Sequence, residues 1–233
     1  MVWRCALPPT GRARSLAATV LALLLGGWPA LDGARGAGVI LPDPARTGEV
    51  SVERALAQRR SQRSYGTDPL TLDQVGQVLW AAQGISHGDR RTAPSAGALY
   101  PLTVFLVAGE IQDLPPGVYR YQPGRHGLEG VVEGDRRRAL ARAALGQDWV
   151  RQAPAVLVLV ATYDRTTGKY GDRGRRYVHM EVGHAAQNVY LQAEALGLAT
   201  VMVGAFRDTA VARVLDLGPD RVPLALLPLG PSP

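Results

Sequence analysis

Seven consecutive apolar residues, Ala155 to Ala161 (AVLVLVA), constrain the fold of this chain more than any other stretch. A strand with one solvated face alternates apolar and polar side chains, whereas an unbroken apolar run suits a strand buried on both faces. Such a strand needs a layer of structure on each side. Leu102 to Val107 (LTVFLV) reads as a second apolar strand, and Val118 to Tyr121 (VYRY) as an alternating third. Thr200 to Val203 and Val222 to Leu229 read as two more, the last interrupted by Pro223 and Pro228. Between them lie amphipathic helices at Glu49 to Arg60, from Thr71 to Gly84, at Asp135 to Leu145, Tyr177 to Leu196 and Thr209 to Leu215. Thr71-Leu-Asp-Gln74 has the form of a helix N-cap, and Gly84, Gly146 and Gly197 act as stops. Strands and helices mix without a strict βαβ rhythm, so the expected class is α+β. The 233 residues suffice for one ordinary domain and an appendage.

The appendage is at the N-terminus. Arg4, Arg12 and Arg14 precede the apolar run Leu16 to Leu25, followed by Gly26-Gly27-Trp28-Pro29. A basic start, about ten apolar residues and a small-residue zone form the layout of an export signal. The run is shorter than the roughly 20 residues a spanning helix needs. The organisation read from the sequence is therefore a leader over 1–38, a linker over 39–48 and one domain over 49–233. Export to the periplasm, or tethering to a membrane, is the expected location; a basic extension on a cytoplasmic protein is the alternative.

The formal charge of +6 comes almost wholly from arginine, with Lys169 the only lysine. Arginine clusters at 136–138 and 173–176 are not interleaved with aromatics, so nucleic acid is not an expected partner. A single cysteine, Cys5, leaves no intrachain disulfide and no zinc finger. The hexapeptide His179-Met-Glu-Val-Gly-His184 suggests a metal site, but its histidines are five apart, about 140° around a helix. They cannot jointly bind one ion from a regular helix, and no metal is expected.

Four segments carry candidate chemistry. Arg59-Arg60-Ser61-Gln62-Arg63 sets three guanidiniums and a hydroxyl close together, which suits a phosphate. Pro94-Ser95-Ala96-Gly97-Ala98-Leu99-Tyr100-Pro101 is a small-residue loop in which backbone can approach a ligand closely. Lys169-Tyr170, in a glycine-punctuated loop before the longest helix, offers an acid/base pair, since lysine shifts its pKa readily and arginine does not. Glu181-Val-Gly-His184-Ala-Ala-Gln187-Asn188 begins a helix face of Gly and Ala, against which a second helix or a flat ring can pack; it leads to Val201-Met-Val-Gly204.

In this order the four segments resemble the FMN-dependent nitroreductase family, over about residues 50 to 230. RRSQRSY, PSAGALYP, KYGDRGRRY, EVGHAAQN and GLATVMVGAF look most like its SagB-type branch of azoline dehydrogenases. The resemblance implies a nitroreductase-like fold, with a central mixed or antiparallel sheet flanked by helices, and an intertwined homodimer with FMN at the interface. It assigns the FMN phosphate and ribityl chain to Arg59, Arg60, Ser61 and Arg63, and the ring to Pro94, Ser95, Ala96 and Gly97. Backbone N–H groups of Val203 and Gly204 are implied donors to the ring, Lys169 the base and Tyr170 its partner. Glu181, His184, Gln187 and Asn188 become polar groups that hydrogen-bond buried backbone near the ring. The implied activity is hydride transfer between flavin and a small-molecule or peptide substrate, with NAD(P)H or another electron partner. Dehydrogenation of azolines in a modified peptide is one alternative, and a flavin-fold binding protein without turnover another. One departure stands out: no Lys or Arg follows Arg221, where many members hold the phosphate with a basic residue. Either the N-terminal arginines form the clamp alone, or FMN is held less tightly.

Overall fold

In the computed structural model, which describes residues 38–233, the apolar run forms β7 (Ala155–Ala161), with every residue buried. It lies between β4 (Leu102–Ala108) and β9 (Val222–Pro231), antiparallel to both, with Leu157 opposite Leu106 on one side and Leu227 on the other. Beyond β4 come β5 (Gly117–Gln122), β6 (Gly127–Glu133) and β1 (Gly38–Ile40); beyond β9 comes β8 (Leu198–Thr200). The seven-stranded order is β1-β6-β5-β4-β7-β9-β8, and each named pairing is antiparallel. A separate small hairpin joins β2 (Ile85–His87) to β3 (Arg90–Arg91).

Period-two alternation sends β7 into two cores. Ala155, Leu157, Leu159 and Ala161 meet α2 (Leu72–Gln83) and α6 (Arg173–Ala195) through Val75, Leu79, Val182, Ala185 and Val189. Val156, Val158 and Val160 meet α3 (Arg137–Ala143), α4 (Asp148–Gln152) and α7 (Asp208–Val214) through Leu140, Val150 and Val211. Burying each Val or Leu side chain contributes about 1.5–3 kcal/mol before the entropy of ordering it. The start of α2 is as the sequence indicates: Thr71 Oγ1 accepts from Gln74 N at 3.2 Å, and Gln74 Oε1 accepts from Thr71 N at 3.0 Å. This reciprocal capping satisfies two backbone donors that a helix otherwise leaves free.

Several expectations need correction. Lys169 and Tyr170 are not in a loop; they form the last turn of α5 (Asp164–Tyr170), which ends at Gly171 with φ 55°. The long helix starts at Arg173, four residues before Tyr177. The first helix, α1 (Val52–Gln58), stops before the arginine cluster, which is left non-helical. Gly38–Ile40, read as the end of a leader and the start of a linker, is an edge strand on β6. The strand expected over Thr200 to Val203 is β8, two residues earlier, followed by a lone bridge from Val203 to Leu226. The rest of the leader lies outside the described residues. No helix among the described residues is long and apolar enough to cross a membrane.

Candidate functional site

The arginine segment is held against the far end of α6. Gln62 N donates to Thr200 O at 2.9 Å, so the segment runs beside the end of β8. Tyr190, on α6, joins the two: its hydroxyl lies 3.0 Å from Ser61 Oγ and accepts from Met202 N at 2.8 Å. The Arg59 guanidinium stands over the Tyr190 ring at 5.2 Å, with its Nε buried and without a partner. Arg63 stands over Trp149 at 5.5 Å, and Arg60 is exposed. Val203 is not the free donor expected, because its N–H is taken by Leu226 O at 2.8 Å. Gly204 follows, exposed, with open space where a side chain would begin and no hydrogen bond to its N–H among the described residues. This half therefore gathers guanidiniums, a hydroxyl and a free backbone donor.

The small-residue loop is held at the other end of α6. Gly97, Ala98 and Tyr100 all have positive φ, at 61°, 53° and 46°. For Ala and Tyr this left-handed geometry costs about 1–2 kcal/mol each. Surrounding bonds offset it. Ser95 Oγ accepts from Tyr100 N at 2.9 Å, Arg165 Nη1 donates to Tyr100 O at 3.0 Å, and Tyr100 Oη accepts from Arg91 N at 3.3 Å. The Arg91 guanidinium covers the Tyr100 ring at 4.7 Å.

Behind the loop runs a buried polar chain. Arg91 Nη1 donates to Gln83 Oε1 at 2.8 Å, and Gln83 Nε2 reaches Glu181 Oε1 at 3.5 Å. Gln83 and Glu181 are 1% and 2% exposed. Burial pushes the Glu181 carboxyl above its ordinary range, opposed by the Ser95 hydroxyl, by Gln83 and by the Arg91 charge.

Lys169 and Tyr170 meet this loop directly. A Cβ built on Gly97 would lie 2.8 Å from Tyr170 Oη and 3.1 Å from Lys169 Nζ. Glycine takes the positive φ without strain and lets both side-chain ends approach this closely. The Tyr170 ring packs edge-on against Tyr177 at 5.2 Å. Ser95, Ala96, Gly97, Lys169 and Tyr170 thus form a second half, with Pro94 exposed at its edge.

One chain does not bring the halves together. Glu181 and Tyr190 are nine residues apart on α6, roughly 14 Å along its axis and half a turn around it. The helix itself stands between arginine segment and loop. Of the other polar residues expected on α6, Asn188 does bond buried backbone, donating to Ala81 O at 3.0 Å. His184 is exposed, and His179 pairs with Tyr163 at 2.6 Å instead.

Sequence reasoning missed Tyr190, Arg91 and Arg165. Tyr190 carried a readable sign, as the one aromatic residue in the helix stretch 185–195. Arg165 was hidden because no helix was read over 164–168, and only the end of α5, at Lys169 and Tyr170, was read, as a loop.

The profile of the Nitroreductase family matches residues 56–231. A Methanocaldococcus jannaschii protein assigned as a nitroreductase is 46% identical over 183 residues, 78% of this chain and 91% of its own. The microcin B17-processing protein McbC of Escherichia coli is 34% identical over 134 residues, 55% of this chain and 49% of its own. The crystal structure of a Ralstonia eutropha protein assigned as a nitroreductase superposes with a TM-score of 0.75 at 30% identity, covering 86% of this chain and 92% of that one. The matched span runs from α1 to the last strand and takes in both halves of the site, and the relatives share the antiparallel sheet between two helical layers: the chain belongs to the nitroreductase family.

Proposed function

We propose that the protein is an FMN-dependent oxidoreductase that moves a hydride between the flavin and an organic substrate, with Lys169 and Tyr170 handling the proton. The observation that carries this reading is the contact at Gly97, where Lys169 Nζ and Tyr170 Oη converge on a small-residue loop. FMN fits the residues present. The orphaned Nε of Arg59, with Ser61 and Arg63, suits its phosphate; the N–H of Gly204 is free to donate to its ring; the Ser95–Gly97 backbone leaves room for a flat face. When bound, FMN supplies the two-electron redox chemistry, and the protein supplies position and charge.

The chain's own residues do the rest. Arg59, Arg60, Ser61 and Arg63 hold the phosphate end, and Gly204 fixes ring orientation. Ser95, Ala96 and Gly97 exclude water from one face. Lys169 Nζ takes the proton that leaves the substrate, or returns it in the reductive direction, and Tyr170 Oη orients the group that carries it.

The separation of the halves supports a homodimer as the working form. Gly183 lies about midway between Tyr177, beside the loop half, and Tyr190, at the arginine half. A two-fold axis near Gly183 would set a partner helix antiparallel and place one copy's arginine segment beside the other's loop. That face of α6 is available: Gly183 and His184 are exposed, and Met180 is 52% exposed.

A second reading rests on the same Lys-Tyr contact and the likeness to McbC: dehydrogenation of azoline rings in a modified peptide. Turnover of a thiazoline-bearing peptide without NAD(P)H favours it over reduction of a quinone or nitroarene with NAD(P)H. The first test is cofactor content. The purified protein should show the visible absorption of oxidised flavin and release FMN on denaturation. Lys169→Ala should keep FMN and lose about 10²–10⁴-fold in turnover. A colourless protein that takes up no FMN would sink the proposal.

A further inference from the structure

Beside the loop half lies a cavity of about 260 Å³ that the reading above does not use. Four arginines reach it from four places: Arg91 on β3, Arg120 on β5, Arg165 on α5 and Arg221 just before β9. No acidic residue lines it. Glu129 neutralises Arg120, with both carboxylate oxygens 2.8 Å from Nη2, yet Arg120 Nε stays buried and unpartnered. Glu181 stands behind Gln83 and partly offsets Arg91. Arg165 and Arg221 make no salt bridge among the described residues. Burial draws Arg91 below its ordinary value; Glu181 opposes this, and the Arg165 charge adds to it. Convergent cations with too little counter-charge are unfavourable unless an anion joins them, and guanidiniums bind oxyanions through paired donors.

We propose that this cavity binds a compact oxyanion, a phosphate or carboxylate group carried by the molecule that reacts at Lys169. Its volume is below that of a typical pocket for a whole drug-sized ligand, so it takes a head group. Its position links it to the chemistry. Arg165 is four residues before Lys169 on α5, so their side chains start roughly 5–6 Å apart on one helix face. Arg165 also holds the Tyr100 carbonyl, which ties the anion to the strained loop. The link to a reacting molecule rests on the proposed function; the anion site itself does not.

The test uses the full chain as purified and needs no flavin. Inorganic phosphate is titrated in and followed by ³¹P line broadening, for the wild type, for Arg165→Gln with Arg221→Gln, and for Arg59→Gln with Arg63→Gln. The first pair should weaken phosphate at this site roughly a hundredfold, two charge-assisted bonds being lost. The second pair removes any phosphate taken up by the proposed FMN clamp and should leave the Arg165- and Arg221-dependent binding intact. Arg221→Gln alone, at a side chain with no hydrogen bond among the described residues, should give a smaller loss in the same direction and guards against misfolding of the double variant. Acetate that displaces phosphate at similar concentration identifies a carboxylate site; acetate without effect identifies a phosphate site. Phosphate binding unchanged by the first pair, or no binding of either anion by the wild type, overturns the proposal.

Discussion

At the scale of single residues, the candidate site turns on Gly97. At its φ of 61°, a methyl group would be strained and would have to displace the ends of the Tyr170 and Lys169 side chains. Gly97→Ala should therefore push the Lys-Tyr pair away from the loop. A misplacement of about 1 Å at a reacting centre can cost on the order of 100-fold in rate. The expected result is a loss of turnover of that size with FMN content retained and a drop in stability of about 1–2 kcal/mol. Retained activity would show that the pair does not work at this position. The residue scale is also where the sequence was informative: Lys169 is visible as the only lysine in an arginine-rich chain, Tyr170 as its neighbour and Gly97 as part of a small-residue loop. Their contact is not visible, because it joins positions more than seventy residues apart. Val203 shows the converse. Its neighbour Gly204, also singled out, keeps its N–H unbonded among the described residues, but a bridge to Leu226 that consumes the Val203 N–H is set by sheet register, which no local pattern reports.

Among the elements, α6 does two jobs: it seals one core with Val178, Val182, Ala185 and Val189, and it buries Glu181 against α2. The Glu181 carboxyl is held above its ordinary range by burial, so the folded state binds its proton more tightly than the unfolded chain does. Stability from this group is fully present below the unfolded value of 4.5 and is lost as pH rises through the higher folded value. Glu181→Gln should flatten that part of the profile. Thermal melts from pH 4 to 8 should show the wild type losing stability relative to the variant as pH rises; parallel profiles would contradict it. Elements differed in how plainly the sequence announced them. A run such as Ala155–Ala161, or the capped start at Thr71, carries its own signal. In β6 (GLEGVVE) two glycines and two glutamates blur the alternation, and the strand exists because β5 and β1 pair with it. Gly168 and two threonines weaken α5 in the same way, and its packing against α6 overrides their low propensity.

For the whole molecule, the question is how one chain becomes a complete site. The proposed two-fold at Gly183 predicts a dimer in sedimentation or light scattering. Met180→Glu, which puts a charge on the exposed face of α6, should yield monomers and lose FMN together. A monomer that still binds FMN tightly would contradict the shared site. The layering of the α+β architecture, a sheet between two helical layers, followed from patterning alone, since an apolar strand buried on both faces demands cover on both sides. The proposed dependence on a second copy did not, because it is inferred from the half turn between Glu181 and Tyr190 and not from either residue's identity.

That half turn has a genetic consequence. If each site draws its arginines from one copy and its Lys-Tyr pair from the other, two defective alleles can rescue each other. An Arg59→Ala, Arg63→Ala chain and a Lys169→Ala chain are each inactive alone. Refolded together in equal amounts, half the dimers should be mixed, and each mixed dimer carries one site with neither lesion. About a quarter of full activity should return. No recovery on mixing would mean that each chain builds its site unaided.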